Sequence, residues 1–458
     1  MSNGSSLPPT AQSDLQDRPQ RKFLRELLRD TIQTKFFRQG VQVGSWRIVS
    51  LLCSSAASVW AARCLGPENL GISTMIVATI TQLGLLVTLN QTSGYVRYYS
   101  RQSDQPRRDE VLATVFTYRA TMALILMSVA IPLVLALHFP PRWWLGLTAA
   151  LPLFFFTVNQ PDWALQAQEK LPDNYRAVSF QYATLAILYV IFFRPGMGPG
   201  SDVAVQVVSG SIYFAVGWYL ACRGRSVRLW QWHLLPRIWV ILKENIWLIL
   251  IGVLIYISVS LEQPLIGYLY SLKELGIYRA STTVLNGVQS FLVLIPGLLL
   301  PRLLQWSKQG PHYLWARQMK IALVLAGVLI PLWIVGMLVS PLFFHLAYGP
   351  RFDRASFPFT MLFLAKIMAV LSGVFNYGLL ALKQDRTIFG IHLTVALFSL
   401  TFNLLLIPRL GGYGAATVNC LSETLVLVLA IVCCHRLCRT MAPPPESLHL
   451  PVSVESSV

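Results

Sequence analysis

Apolar residues in this chain gather into long runs separated by short stretches rich in Gly, Pro and charge. Runs of about 20 apolar residues, the length a helix needs to cross the hydrocarbon core of a bilayer, fall at roughly 40–62, 71–96, 112–137, 143–166, 177–193, 203–222, 245–264, 277–300, 319–340, 357–382, 387–407 and 413–435. The pattern predicts an all-α polytopic membrane protein with about twelve transmembrane helices, six in each half. Helices are expected because backbone polar groups in lipid must be satisfied within the segment that carries them.

The first two runs are joined by Arg63-Cys64-Leu65-Gly66-Pro67-Glu68-Asn69-Leu70-Gly71, and the arrangement recurs. A shift of 205 positions, without a gap, lays Leu70-Gly71-Ile72 on Leu275-Gly276-Ile277 and Arg97 on Arg302. An apolar helix, a Gly turn, a second apolar helix and an Arg at its exit thus appear twice. Internal duplication of this kind builds many transporters, with the working site between the repeats. The expected organisation is a disordered cytoplasmic tail (1–20), a basic amphipathic juxtamembrane helix (21–38), a first lobe (39–222), a basic cytoplasmic loop (223–244), a second lobe (245–436) and a cytoplasmic tail (437–458). Residues 1–20 are rich in Ser, Pro, Gln and Asp and lack the apolar core of a signal peptide.

Composition agrees with the pattern. Of the 458 residues 54% are hydrophobic and only 12% charged, with mean hydropathy +0.54, which lies outside the range of soluble globular proteins. A net charge of +17 invites a nucleic-acid reading, and the placement of the basic residues decides against it. With the N-terminus in the cytoplasm, 26 of the 37 Lys and Arg residues fall on the cytoplasmic side and 8 on the other. That asymmetry is the positive-inside signal, and it places both termini in the cytoplasm. The seven cysteines and seven histidines show no metal or disulfide spacing, and no cofactor is called for.

The polar residues inside the runs carry the candidate chemistry. Arg47, Ser50, Ser54 and Ser58 share one helical face, as do Thr79, Gln82, Asn90, Ser93 and Arg97. Such faces avoid lipid and turn to other helices or to a wet cavity. Arg119 lies two turns into the third run, shallow enough to snorkel, and Asp162 sits in a Pro-broken stretch that either binds a cation or pairs with a loop Arg. Glu262 ends the seventh run. Lys366 and Glu423 lie near mid-depth of the tenth and twelfth, where they form either a buried ion pair or part of a substrate or ion site.

With the repeat and loop motifs in hand, the chain resembles the polysaccharide transporter family, the flippases for lipid-linked oligosaccharides within the multidrug/oligosaccharidyl-lipid/polysaccharide (MOP) superfamily. The likeness rests on Ala62 to Gly71, Gly94-Tyr95-Val96-Arg97, Leu275-Gly276-Ile277-Tyr278, Pro301-Arg302, Ala347-Tyr348-Gly349 and Pro408 to Ala416. It implies two six-helix lobes related by a pseudo-two-fold axis around a central cavity, rocking between inward-open and outward-open states. The implied cargo is an undecaprenyl-diphosphate-linked sugar unit in the bacterial inner membrane, with membrane lipids and a polysaccharide polymerase as partners. Arg47, Arg97, Arg119, Arg302 and Lys366 are the candidate cations for the diphosphate, since Arg offers a bidentate fork to phosphate oxygens. Gln82, Asn90, Asn286, Gln289 and Tyr256 are candidates for the sugars, and Glu423, Glu262 and Asp162 for ion coupling.

Two relatives of that plan compete. A drug or cation exporter of the same superfamily would want acidic residues in its first lobe, where Arg47 and Arg119 stand instead. A lipid-linked peptidoglycan precursor flippase has nearly the same chemistry, with extra spans. A membrane glycosyltransferase or polymerase would need paired carboxylates on substantial outer loops, and these loops are short; no enzyme is expected.

Overall fold

The computed structural model describes residues 35–89, 91–136, 140–292 and 294–440. The proposed 1–20 tail, most of the 21–38 helix, the end of the 437–458 tail and Asn90 lie outside the described residues.

The first helix, α1 (Lys35–Thr88), is continuous except at Gly66, whose φ of 71° and ψ of 171° belong to a region open only to glycine. Pro67 follows at once and disfavours the α conformation before it, while its own φ suits the first turn of a new helix. One residue therefore turns the chain where the sequence suggested a nine-residue loop. Gly66→Ala is expected to destabilise the protein by about 1–3 kcal/mol. Thermal unfolding of the purified protein in detergent would show it as a lower Tm, and an unchanged Tm would refute the strained turn.

Helices α2 (Thr92–Ser100), α3 (Gln105–Ala136), α4 (Pro141–Val158), α5 (Asp162–Ala167), α6 (Leu171–Phe192) and α7 (Pro199–Cys222) complete the first half. A 3-10 turn at Trp232–Arg237 leads to α8 (Ile238–Glu244). The second half holds α9 (Ile246–Ser260), α10 (Glu262–Leu269), α11 (Leu272–Leu292), α12 (Leu294–Ser307) and α13 (Pro311–Ala347), then α14 (Ser356–Ala381), α15 (Asp385–Leu410) and α16 (Gly412–Thr440). Among the described residues, eight helices are long and apolar enough to cross a membrane, or nine if the pair Trp232–Glu244 and Ile249–Ser258, bent by 76°, is one span. This count is below twelve for physical reasons: the first candidate contains the Gly66 turn, α9 has only 15 residues, and α11 carries Lys273, Glu274 and Arg279.

In the first half α4 packs on α7 and α6 on α7; in the second, α14 packs on α16 and α13, and α9 on α15. The halves meet chiefly where α1 lies against α11. That contact is reciprocal under the sequence repeat. A Cβ at Gly71 would stand 1.7 Å from the Leu272 carbonyl oxygen, and one at Gly276 would stand 1.9 Å from the Pro67 carbonyl oxygen. The 205-residue shift that carries Gly71 onto Gly276 also carries Pro67 onto Leu272, so each repeat presents the same surface to the other, as in an isologous interface. Side chains reinforce this end: Arg63 donates to the carbonyls of Leu346 and, at 2.6 Å, Ala347 at the close of α13, and the Ser58 and Tyr348 hydroxyls lie 3.2 Å apart.

At the opposite end, residues 223–244 are fastened to the first half. Arg225 pairs with Asp109 at 3.4 Å, Arg237 with Glu110, and Glu244 with Arg101 at 3.2 Å. The Thr117 hydroxyl donates to the Leu229 carbonyl and accepts from the Gln231 amide. Ile238, Ile241 and Leu242 are buried in one cluster with Tyr95, Trp163 and Trp218.

Candidate transport cavity

A cavity of about 430 Å³ opens between α1, α4, α6, α7 and α11. The polar face read from the sequence of α1 lines it: Arg47, Ser50, Ser54 and Ser58 all reach the cavity. The Ser50 and Ser54 hydroxyls donate to carbonyls one turn back and keep their lone pairs free. Arg47 is 9% exposed. Its Nη2 donates to the Tyr175 hydroxyl and its guanidinium lies 4.4 Å from the centre of that ring. The buried Nε and Nη1 have no hydrogen-bond partner among the described residues. A buried cationic donor left unmatched is costly, so Arg47 is the most strained charge on the cavity wall.

A second cavity of about 270 Å³ shares Val77, Thr81, Arg279 and Asn286 with the first. It brings together Gln82, Asn286, Gln289 and Lys366, along with Glu262 and Tyr256. The Gln82 amide donates to the Ser260 carbonyl at 3.0 Å, and Asn419 donates to Glu262 at 3.0 Å. Lys366 interacts electrostatically with both Glu262 and Glu423. It comes within ion-pair distance of neither, among the described residues. Glu423 lines a separate space of about 30 Å³ with Ser258, His392, Asn419 and Ser422.

Other sequence candidates lie elsewhere. Arg119 is buried under aromatic rings, 5.0 Å from the centre of Tyr95 and 5.8 Å from Trp163, and it donates to the Val158 carbonyl at 3.3 Å. It faces Asp162 electrostatically, and neither residue lines either cavity. Cation–π contact holds the guanidinium in the packed end of the first half. Arg97 and Arg302 are exposed and also line neither cavity.

Two cavity residues escaped the sequence reading. Arg279, at the edge of the 277–300 run, lines both cavities, and its guanidinium has no hydrogen-bond or ion-pair partner among the described residues. It continues the stripe of Thr282, Asn286 and Gln289 at helical spacing, and that periodicity would have found it. Asp202 is 4% exposed. The Tyr189 hydroxyl donates to its Oδ1 and Gln206 to its Oδ2 at 2.9 Å. No cluster of three His, Cys, Asp or Glu residues able to hold a metal occurs among the described residues.

Residues 47–307, more than half of the chain, match the family described as "Polysaccharide biosynthesis protein". The chain belongs to this family. Similar solved structures place the polysaccharide biosynthesis protein in a wider fold. The lipid II flippase MurJ in an inward closed conformation superposes with a TM-score of 0.68 at 13% identity, covering 87% of each chain. An inward-facing multidrug resistance MATE family transporter of the MOP superfamily gives 0.61 at 13% identity, covering 88% of this chain and 99% of that one. The Vibrio cholerae MATE transporter VcmN gives 0.51 at 12%, covering 89% and 99%. At these identities the likeness is one of fold. No curated protein sequence matches the chain. The polysaccharide biosynthesis protein thus has a multi-pass, all-helical membrane fold of the MATE/MurJ kind.

Proposed function

We propose that this transporter flips undecaprenyl-diphosphate-linked oligosaccharide units from the cytoplasmic to the periplasmic leaflet of the bacterial inner membrane, by alternating access, for O-antigen, capsule or exopolysaccharide synthesis. The guanidinium of Arg47, a buried cation on the wall of the cavity, carries this reading. Arg279 and Lys366 add to the cationic character of the connected space. In a low-dielectric site these charges favour an anionic head group, and Arg matches a diphosphate by its fork. The reading keeps twelve spans in two lobes about a pseudo-two-fold axis, supported by the reciprocal Gly71–Gly276 contact. The charge asymmetry supports a periplasmic Gly66 end. The lobes touch at that end, so the cavity stands ready for cargo from the cytoplasmic leaflet, and a polymerase would take up what is delivered.

One observation favours a second reading. Asp202 and Glu262 are buried carboxylates on the cavity walls, which is what a cation exporter would need. Deleting the gene in its host and extracting lipid-linked intermediates for mass spectrometry separates the two. Accumulation of a completed sugar unit on undecaprenyl diphosphate, with loss of surface polymer, is expected. Unchanged intermediates with altered resistance to cationic drugs would establish the exporter, and accumulation of the peptidoglycan precursor would establish a lipid II flippase.

A further inference from the structure

The helix α6 carries an unassigned pattern. Tyr175, Tyr182 and Tyr189 are spaced seven residues apart, which keeps them on one helical face and about 10.5 Å from one to the next. All three line the larger cavity. The ladder has fixed ends and a free middle. Tyr175 is held by Arg47 at one end, and Tyr189 by Asp202 at the other. Tyr182 is half-buried, and its hydroxyl has no hydrogen-bond partner among the described residues. The amides of Gln181 on the same helix and Gln160 from the neighbouring strand of chain also face the cavity without a protein partner among those residues.

We infer that this face of α6 is a saccharide track: the Tyr182 ring, between two tyrosines already held by Arg47 and Asp202, and the free amides of Gln181 and Gln160 take the sugar units of the cargo while Arg47 holds its anionic end. The inference rests on the proposed function and adds where the glycan lies. Sugar rings present apolar C–H faces and a rim of hydroxyls. Flat aromatic faces match the first, and amides, which both donate and accept, match the second. A lipid chain has no use for free amides, and a bare anion none for a row of rings. The diphosphate at Arg47 therefore leads the glycan along α6 toward the Gly66 end, with the prenyl tail left in the bilayer.

Two probes test this on the full-length protein in nanodiscs: farnesyl diphosphate, and farnesyl diphosphate carrying N,N′-diacetylchitobiose. The sugar-bearing probe is expected to bind the unaltered protein about tenfold more tightly, the scale of one good aromatic contact with its polar partners. Tyr182→Ala combined with Gln181→Ala should erase most of that preference and leave farnesyl diphosphate binding unchanged. Tyr182→Phe, which keeps the ring, should retain it. Equal affinity of the unaltered protein for both probes, or equal weakening of both by the alanine variant, would overturn the track while leaving the anion site standing. Failure of both probes to bind would remove the track together with the diphosphate reading on which it rests.

Discussion

Replacing Arg47 with alanine is expected to lower polymer export by about tenfold to a hundredfold, with normal amounts of protein in the membrane. The estimate follows from one charge-assisted contact of about 1.5–3 kcal/mol. Tyr175 would lose its cationic donor, and the cavity would lose the group best placed for an anion. Arg47→Lys keeps the charge without the fork and should fall between the two. Arg97→Ala and Arg302→Ala, both exposed and outside the cavities, should export within about twofold of normal, as surface substitutions usually cost under 0.5 kcal/mol. Surface polymer per unit of membrane protein is the measurement. Normal export by Arg47→Ala would end the case for a cationic cargo site there.

The second large effect is expected at the contact between the repeats. Gly71→Val and Gly276→Val each place side-chain atoms where a backbone carbonyl now lies. Backbone cannot rotate aside as a side chain can, so α1 and α11 must part. Overpacking of this kind costs about 1–3 kcal/mol, enough to shift a two-state equilibrium by about fivefold to over a hundredfold. The closed Gly66 end should therefore open. Ser58, now 3.2 Å from Tyr348 across the divide, is the reporter. In a protein whose seven natural cysteines are replaced, Ser58→Cys should react slowly with an impermeant maleimide added to spheroplasts. Adding Gly71→Val should speed that reaction about tenfold. Unchanged labelling would show that the glycine contact does not close this end.

Much of this architecture is legible in the amino-acid sequence because lipid imposes a strong rule. An apolar run cannot cross the membrane except as a helix, and a repeat of runs can be found by sliding the sequence on itself. The polar edge of α1 was equally plain, since Arg47, Ser50, Ser54 and Ser58 obey helical spacing. Depth misled where direction mattered. Arg119 lies inside a run, yet the sequence does not say that Tyr95 and Trp163 cover it. Arg279 and Asp202 sit at the edges of runs, where a charge reads as a loop residue, although Arg279 also continues the helical stripe of Thr282, Asn286 and Gln289 that faces the cavity. Lys366 and Glu423 matched in depth but not in bearing, and Glu262 came to lie between Asn419 and the cavity.

The ion pairs that bind residues 223–244 to α2 and α3 carry a mechanical consequence. By composition that basic stretch is a loop between the lobes, but by attachment it is part of the first half. Asn245 is 4% exposed, its side chain donates to the Ile241 carbonyl, and its own carbonyl accepts from Gln91. Residues 223–244 are anchored to the first half, whereas α9 beyond them packs on α15 of the second. Asn245 therefore marks where the chain's attachment passes from one half to the other, and the tryptophan-rich stretch before it belongs by its contacts to the first half.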